Sequence, residues 1–200
     1  MRKSFQIAEA IFQQNHGILR LSHAKRLGID EKTISQMTEA GLLTRESLGI
    51  YRLASSPPLS YPDLIIVALR ARQSVLCLIS ALSFHQLTTQ IPHRVYIALP
   101  RGTKRPEIAY PPLQVITLSQ TAYSAGIEVH HLDDVPVNIY CKEKTVTDCF
   151  KFRNLIGQDV ALESLKTYFA EHTPRVSELL LYARINRVEK LMRPYLELYQ

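Results

Sequence analysis

Cysteine is scarce in this chain. Cys77, Cys141 and Cys149 are odd in number, far apart and form no C-x-x-C pair, which excludes a disulfide-stapled miniprotein and predicts a reducing cytoplasm as its home. Long hydrophobic runs are lacking as well. The longest apolar region, Leu64 to Leu87, is interrupted by Arg70, Arg72 and Gln73, and neither half reaches the roughly 20 residues of a spanning helix. Arg2 and Lys3 are followed by no continuous apolar stretch, so no secretory signal is expected. The seven glycines are scattered. None builds a G-x-x-x-x-G-K-[ST] loop or a G-x-S-x-G elbow, and a Gly-Ser turn with an Asp-x-Asp strand, as a nucleotidyltransferase requires, is missing. Internal repeats and low-complexity segments are absent too.

What is present suffices for a globular fold. Hydrophobic residues make up 46% and charged residues 21% of 200, close to ordinary soluble proteins and enough for one or two domains. The formal net charge of +6 favours an acidic partner. Ser55-Ser56-Pro57-Pro58 continues neither a helix nor a central strand, so the reading is a domain over 1–54, a linker over 55–60 and a larger domain over 61–200. Residues 1–56 hold 8 cations against 5 anions, and residues 57–200 hold 16 against 13. The shorter segment is therefore the more basic per residue.

In that segment Phe5, Ala8, Ile11 and Phe12 recur at helical spacing, and Asn15-His16-Gly17 ends the helix. Ser22 is expected to cap a second helix that closes at Gly28, and Asp30 a third from Glu31 to Ala40, with Ile34 and Met37 on one face and Gly41 at its end. Leu42 to Arg45 and Ile50 to Leu53 flank a turn at Glu46–Gly49 and read as a hairpin. Three short helices followed by a hairpin describe a winged helix-turn-helix. Beyond the linker, Ser60 and Asp63 have capping-box spacing before a helix through Arg70, and Val75 to Leu87 reads as a second apolar helix. Val95 to Leu99 and Leu113 to Leu118 read as strands, and Ile127–Leu132 and Val135–Cys141 as a hairpin around Asp133-Asp134. Helices are expected over 145–155, 158–170, 176–185 and 188–198. The fold class is thus α+β: a winged helix-turn-helix, then a larger mixed domain with a small antiparallel or mixed sheet and a helical C-terminal region.

The third helix carries the clearest chemistry. A helix that reads DNA buries one face and presents short polar and cationic side chains to base edges in the major groove. With Ile34 and Met37 inward, Lys32, Thr33, Ser35 and Gln36 are expected outward, and the Gln36 carboxamide matches adenine N6 and N7. Lys32, Arg45 and Arg52 are expected on phosphates, and Ser22 and His23 at a helix N-terminus whose amides suit another. A second basic patch is expected from Arg94, Arg101, Lys104 and Arg105. His130, His131, Asp133 and Asp134 are the densest group of metal-ligand types, but neighbours on a strand point to opposite faces, so no metal site is predicted. Asp134 ahead of Lys142-Glu143-Lys144 lacks the Glu-x-Lys spacing of a strand-borne nuclease motif. Asp148, three residues after Thr145, reads as a capping box. The alternatives to DNA binding are a module that uses the hairpin and basic loop on a protein or RNA, and a metal-dependent nuclease.

Several blocks in order resemble a known family. Gly49-Ile50-Tyr51-Arg52-Leu53 is followed by Val75-Leu76-Cys77-Leu78-Ile79-Ser80-Ala81-Leu82-Ser83-Phe84-His85, Thr88-Thr89-Gln90-Ile91-Pro92 and Ala98-Leu99-Pro100-Arg101-Gly102. Lys144-Thr145-Val146-Thr147-Asp148-Cys149-Phe150 and Arg193-Pro194-Tyr195-Leu196 complete the set. Together they resemble the AbiEi-type antitoxins of type IV toxin–antitoxin systems. The resemblance implies a bacterial transcriptional repressor that binds inverted repeats in its own promoter, with self-association on the DNA. It implies a larger domain that counters a nucleotidyltransferase-type toxin without a stable complex. It also implies DNA contacts at Lys32, Thr33, Ser35, Gln36, Arg45, Ser47 and Arg52, and neither catalysis nor a cofactor.

Overall fold

Asp30 decides where the third helix begins. In the computed structural model, which describes residues 3–171 and 173–199, its carboxylate accepts from the Thr33 amide at 2.7 Å and the Thr33 hydroxyl at 2.9 Å. That satisfies one of the donors a helix start leaves open. The N-terminal elements are α1 (Lys3–Gln14), β1 (Ile18–Arg20), α2 (Leu21–Arg26), α3 (Glu31–Glu39), β2 (Leu43–Ser47) and β3 (Ile50–Leu53). At the end of α3 the Leu42 amide reaches the Met37 carbonyl and the Gly41 amide the Thr38 carbonyl. This closure needs a left-handed residue, supplied by Gly41 at φ 71°. It turns the chain straight into β2. The strands form an antiparallel sheet in the order β1-β3-β2. Phe12, Leu19, Ala24, Ile29, Ile34, Met37, Leu43 and Leu53 share the core beneath it.

Contacts divide the chain into one unit of residues 1–72 and 131–136 and another of 73–130 and 137–200. Helix α4 (Pro62–Arg70) therefore groups with the first unit, whereas the sequence assigned it to the larger domain. Ser60 does not cap it. Tyr61 is the N-cap and Pro62 opens the helix, while the Ser60 amide and hydroxyl both donate to Asp133, at 2.7 and 2.9 Å.

The second unit contains β4 (Val75–Leu76), α5 (Leu78–Phe84), β5 (Val95–Pro100), β6 (Leu113–Leu118), α6 (Gln120–Ser124), and most of β7 (Ile127–Leu132) and β8 (Val135–Tyr140). Its sheet order is β6-β5-β4-β8-β7. β4 pairs antiparallel with β5 and parallel with β8, and β5 pairs parallel with β6, so the sheet is mixed. The expected helix from Val75 is corrected here: Val75 and Leu76 pair with Ala98 and Ile97, and the helix starts only at Leu78, whose φ is 46°. An apolar run buried on all sides carries no period by which helix and strand differ.

The helical region comprises α7 (Lys142–Lys151), α8 (Arg153–Ile156), α9 (Gln158–Glu171), α10 (Val176–Asn186) and α11 (Glu189–Leu196). Asp148 is not part of a capping box. Its buried carboxylate accepts from Lys144 Nζ on the same face of α7 and from Asn186 Nδ2 of α10 at 2.7 Å. The Lys144 ammonium also lies 4.4 Å from the centre of the Tyr140 ring. Three polar groups thus tie α7 to α10 inside an apolar core. Removing one partner strands a buried charge, so Asp148→Ala is expected to lower unfolding free energy by about 3–5 kcal/mol in urea titrations. Lys144→Met with Asp148→Leu together should recover most of that loss.

Candidate nucleic-acid interface

Helix α3 is oriented by what it buries. Ile34 and Met37 are each 1% exposed, and Lys32 and Ser35 are left on the solvent side with Gln36 half-buried beside them. Thr33 departs from expectation. It is buried, with its hydroxyl given to Asp30, so it positions the helix instead of facing outward. The Asp30 carboxyl is held below the usual carboxylate range, first by the Thr33 amide and then by its hydroxyl. Lys25 of α2 meets Glu31 of α3 at 2.6 Å, and Ser35 leans on Glu39 at 3.3 Å.

Ser22 is exposed on α2 but does not cap it. Arg20 holds the N-cap position, without a side-chain cap, because strand β1 runs directly into the helix. His23 is half-buried, and burial, then Arg26 and Arg72, push its pKa down. The shift favours its neutral imidazole. Exposed Arg20 and Arg26 flank α2; they were not singled out from sequence, although a count of cations in the helical segment would have found them.

In the hairpin the turn is only Leu48-Gly49, shorter than the predicted Glu46–Gly49, because Arg45 pairs with Tyr51 and Ser47 with Ile50 across a bulge at Glu46. Arg45 is exposed and Ser47 half-buried. Arg52, expected on a phosphate, is instead an internal brace. Its Nε donates to Glu46 at 2.6 Å, and its Nη1 reaches the carbonyls of Leu53, Ser56 and Pro57 at 3.2, 2.5 and 3.1 Å. Ser22, Lys32, Ser35 and Arg45 are therefore exposed, His23, Gln36 and Ser47 half-buried, Thr33 buried and Arg52 bonded internally.

The second basic patch divides. Arg94 reaches the Gln114 side chain at 3.3 Å and Arg105 the Leu113 carbonyl at 3.4 Å, so these two converge where β6 begins. Arg101 lies at the other end of β5, its amide on the Leu118 carbonyl. Lys104 pairs with Glu107 at 3.0 Å.

Glu143 and Lys144 lie on helix α7, not on a strand as the nuclease motif would need. Glu143 accepts from Arg175 Nε and Nη2 at 2.9 and 2.7 Å and from the Tyr168 hydroxyl at 2.8 Å. Together with His85, Glu128, His130 and Lys142 these residues line a cleft of about 290 Å³. Sequence reasoning missed it, since its lining residues, from His85 to Arg175, are brought together only by the fold. Among the described residues no three His, Cys, Asp or Glu side chains gather as metal ligands. Nor is any described helix long and apolar enough to cross a membrane.

A family model described as transcriptional regulator, AbiEi antitoxin, matches residues 6–54. In this segment the chain is similar to the AbiEi antitoxin regulators. The match takes in α2, α3 and the hairpin and stops before α4. No curated protein matches the chain in sequence. A crystal structure of the RV2827C protein from Mycobacterium tuberculosis is similar in fold, with a TM-score of 0.59 over 88% of this chain and 69% of that one, at 13% identity.

Two measurements check the assignments above. Arg52→Ala should cost about 1.5–3 kcal/mol of stability, since a charged donor with several acceptors is lost, whereas exposed Arg45→Ala should leave the urea midpoint unchanged. For Glu143, burial raises the pKa but the Arg175 and Tyr168 hydrogen bonds outweigh it, so the folded value lies below the ordinary one. The stability this contributes is present above the usual glutamate range and is lost as pH falls through the depressed folded value. Glu143→Gln should therefore flatten the acid limb of a stability–pH curve below about pH 4.5.

Proposed function

We propose that residues 1–54 form a winged helix-turn-helix, with α2 and α3 as the two helices and β2–β3 as the wing, and that the chain is a DNA-binding repressor. In this reading α3 enters the major groove, Gln36 reads an adenine edge, and Lys32 and Arg45 meet phosphates. Two copies bind inverted repeats in the promoter of the protein's own gene. The chain acts in the cytoplasm as the antitoxin of a type IV toxin–antitoxin system, without catalysis or cofactor. Its counterpart is a nucleotidyltransferase-type toxin, countered without a stable complex. The observation that carries the DNA reading is the outward face of α3, with Lys32, Ser35 and Gln36 in the segment similar to transcriptional regulators. The antitoxin reading is supported by that same match and by the ordered sequence blocks of the second unit.

A gel-shift titration against the DNA upstream of the gene tests this. Gln36→Ala should relax sequence preference by about 1–3 kcal/mol at one base pair. Arg45→Ala should weaken binding to all sequences alike and lower the salt slope by about one. No shift on any upstream fragment at low salt would overturn the reading.

A further inference from the structure

The five-stranded sheet of the second unit has an open edge at β6. Two bonds fix which of its backbone groups are engaged: the Val95 amide donates to the Pro112 carbonyl at 2.9 Å, and the Arg101 amide to the Leu118 carbonyl at 2.8 Å. With Val95 opposite Leu113 and Pro100 opposite Leu118, the parallel ladder uses the backbone groups of Gln114, Ile116 and Leu118, and those of Leu113, Val115 and Thr117 turn away from β5. Arg105 meets the Leu113 carbonyl at 3.4 Å. The amides and carbonyls of Val115 and Thr117 meet no partner among the described residues.

Edge strands are ordinarily guarded by charge, proline or shortness. The opposite edge strand, β7, carries Glu128, His130 and His131, whereas β6 has six residues, Leu113-Gln114-Val115-Ile116-Thr117-Leu118, and none of these guards. Thr117 is exposed and Val115 half-buried. An uncharged edge suits an uncharged strand, and a second copy of β6 supplies one with matching spacing. Antiparallel pairing about a two-fold axis at Ile116 sets Val115 opposite Thr117 of the second copy, and Thr117 opposite its Val115. Opposed residues then differ by an even number, so the two sheets keep the same face toward their cores. Each Val–Thr pair exchanges both of its N–H···O bonds, which satisfies every open group named above and leaves the Leu113 carbonyl with Arg105. The two copies' Arg94 and Arg105 lie at opposite ends of such a pair. Parallel pairing would set these cations side by side.

We propose that β6 is a self-association surface, which pairs antiparallel with β6 of a second copy and joins their sheets into one. A contact of one strand is small beside the roughly 1,200 Å² of a stable interface, so the dimer is weak and its population follows concentration. Pairing through β6 requires no DNA. Its failure would leave the DNA-binding reading untouched, and a failure of DNA binding would leave the pairing untouched.

Sedimentation equilibrium of the full chain over a wide concentration range tests this, and the mass should rise from 22.8 kDa toward twice that value. Thr117→Pro removes an outward amide without touching the β5 ladder and should weaken the dimer about tenfold. Thr117→Lys, at an exposed position, should keep the urea midpoint and weaken the dimer likewise, and it decides the matter if the proline variant does not fold. The register has its own signature, because the three native cysteines are buried and opposed Cα atoms about 5.5 Å apart lie within disulfide reach. An oxidised mixture of Val115→Cys and Thr117→Cys proteins should cross-link well above either protein alone. A monomer at every concentration up to about 1 mM, where a millimolar Kd would already show, would overturn the proposal and leave the edge to a strand of another protein. So would a dimer that survives Thr117→Lys, or one that cross-links no better in the mixture than alone.

Discussion

Burial of Ile34 and Met37 among Phe12, Leu43 and Leu53 is the constraint on which the rest of the N-terminal unit depends. Once that face of α3 is fixed, the side chains a third of a turn away have no choice of direction. Lys32 and Ser35 face solvent because their neighbours do not. The Asp30 cap sets where the helix starts and the left-handed Gly41 where it stops, and the next residues pass directly into the hairpin. Core packing and hairpin position are therefore one geometric problem, solved within about two dozen residues.

Charge in this protein does two kinds of work. Part of it is internal: Arg52 joins Glu46 to three carbonyls, Lys144 is sealed against Asp148, and Arg175 holds Glu143. The remainder, including Lys32 and Arg45, stays on the surface. Each of these internal cations is matched by a carboxylate, so the pairs cancel within the formal +6, and the excess that a polyanion would meet is carried by the other cations. The buried Lys144–Asp148 pair is the costliest of these arrangements. Asn186 belongs to it, so a residue of α10 decides whether the charges on α7 are satisfied.

Helix periodicity in α1 and α3, the cap at Asp30, the alternation of β5 and the hairpin around Asp133-Asp134 were all legible before the fold was seen. Each is a signal that acts over a few residues. The errors share a cause as well. Thr33 has the composition of a groove contact but bonds its own cap. Thr145 and Asp148 have capping-box spacing, yet the helix begins at Lys142 and Asp148 turns toward Asn186. Ser60 and Asp63 have it too, but Ser60 is taken by Asp133. Short polar side chains satisfy whichever donor or acceptor comes nearest, and that group is often distant in sequence.

By itself the sequence determined the helices α1 and α3, the inward face of α3, the β2–β3 hairpin and the resemblance of its ordered blocks to a regulator family, and it left the second sheet open between antiparallel and mixed. Those follow from periodicity, caps and turns, which depend on neighbours along the chain. Only the tertiary structure decided which charges remain outward, that Val75 and Leu76 join the middle of a sheet, that His85 and Arg175 share a cleft, and that Arg70 holds the tip of a hairpin 22 residues away. These outcomes depend on the partner each group finds in space. Hydrogen-bond and ion-pair energies act at about 3 Å, and no spacing in the sequence encodes which distant atoms the fold will bring that close.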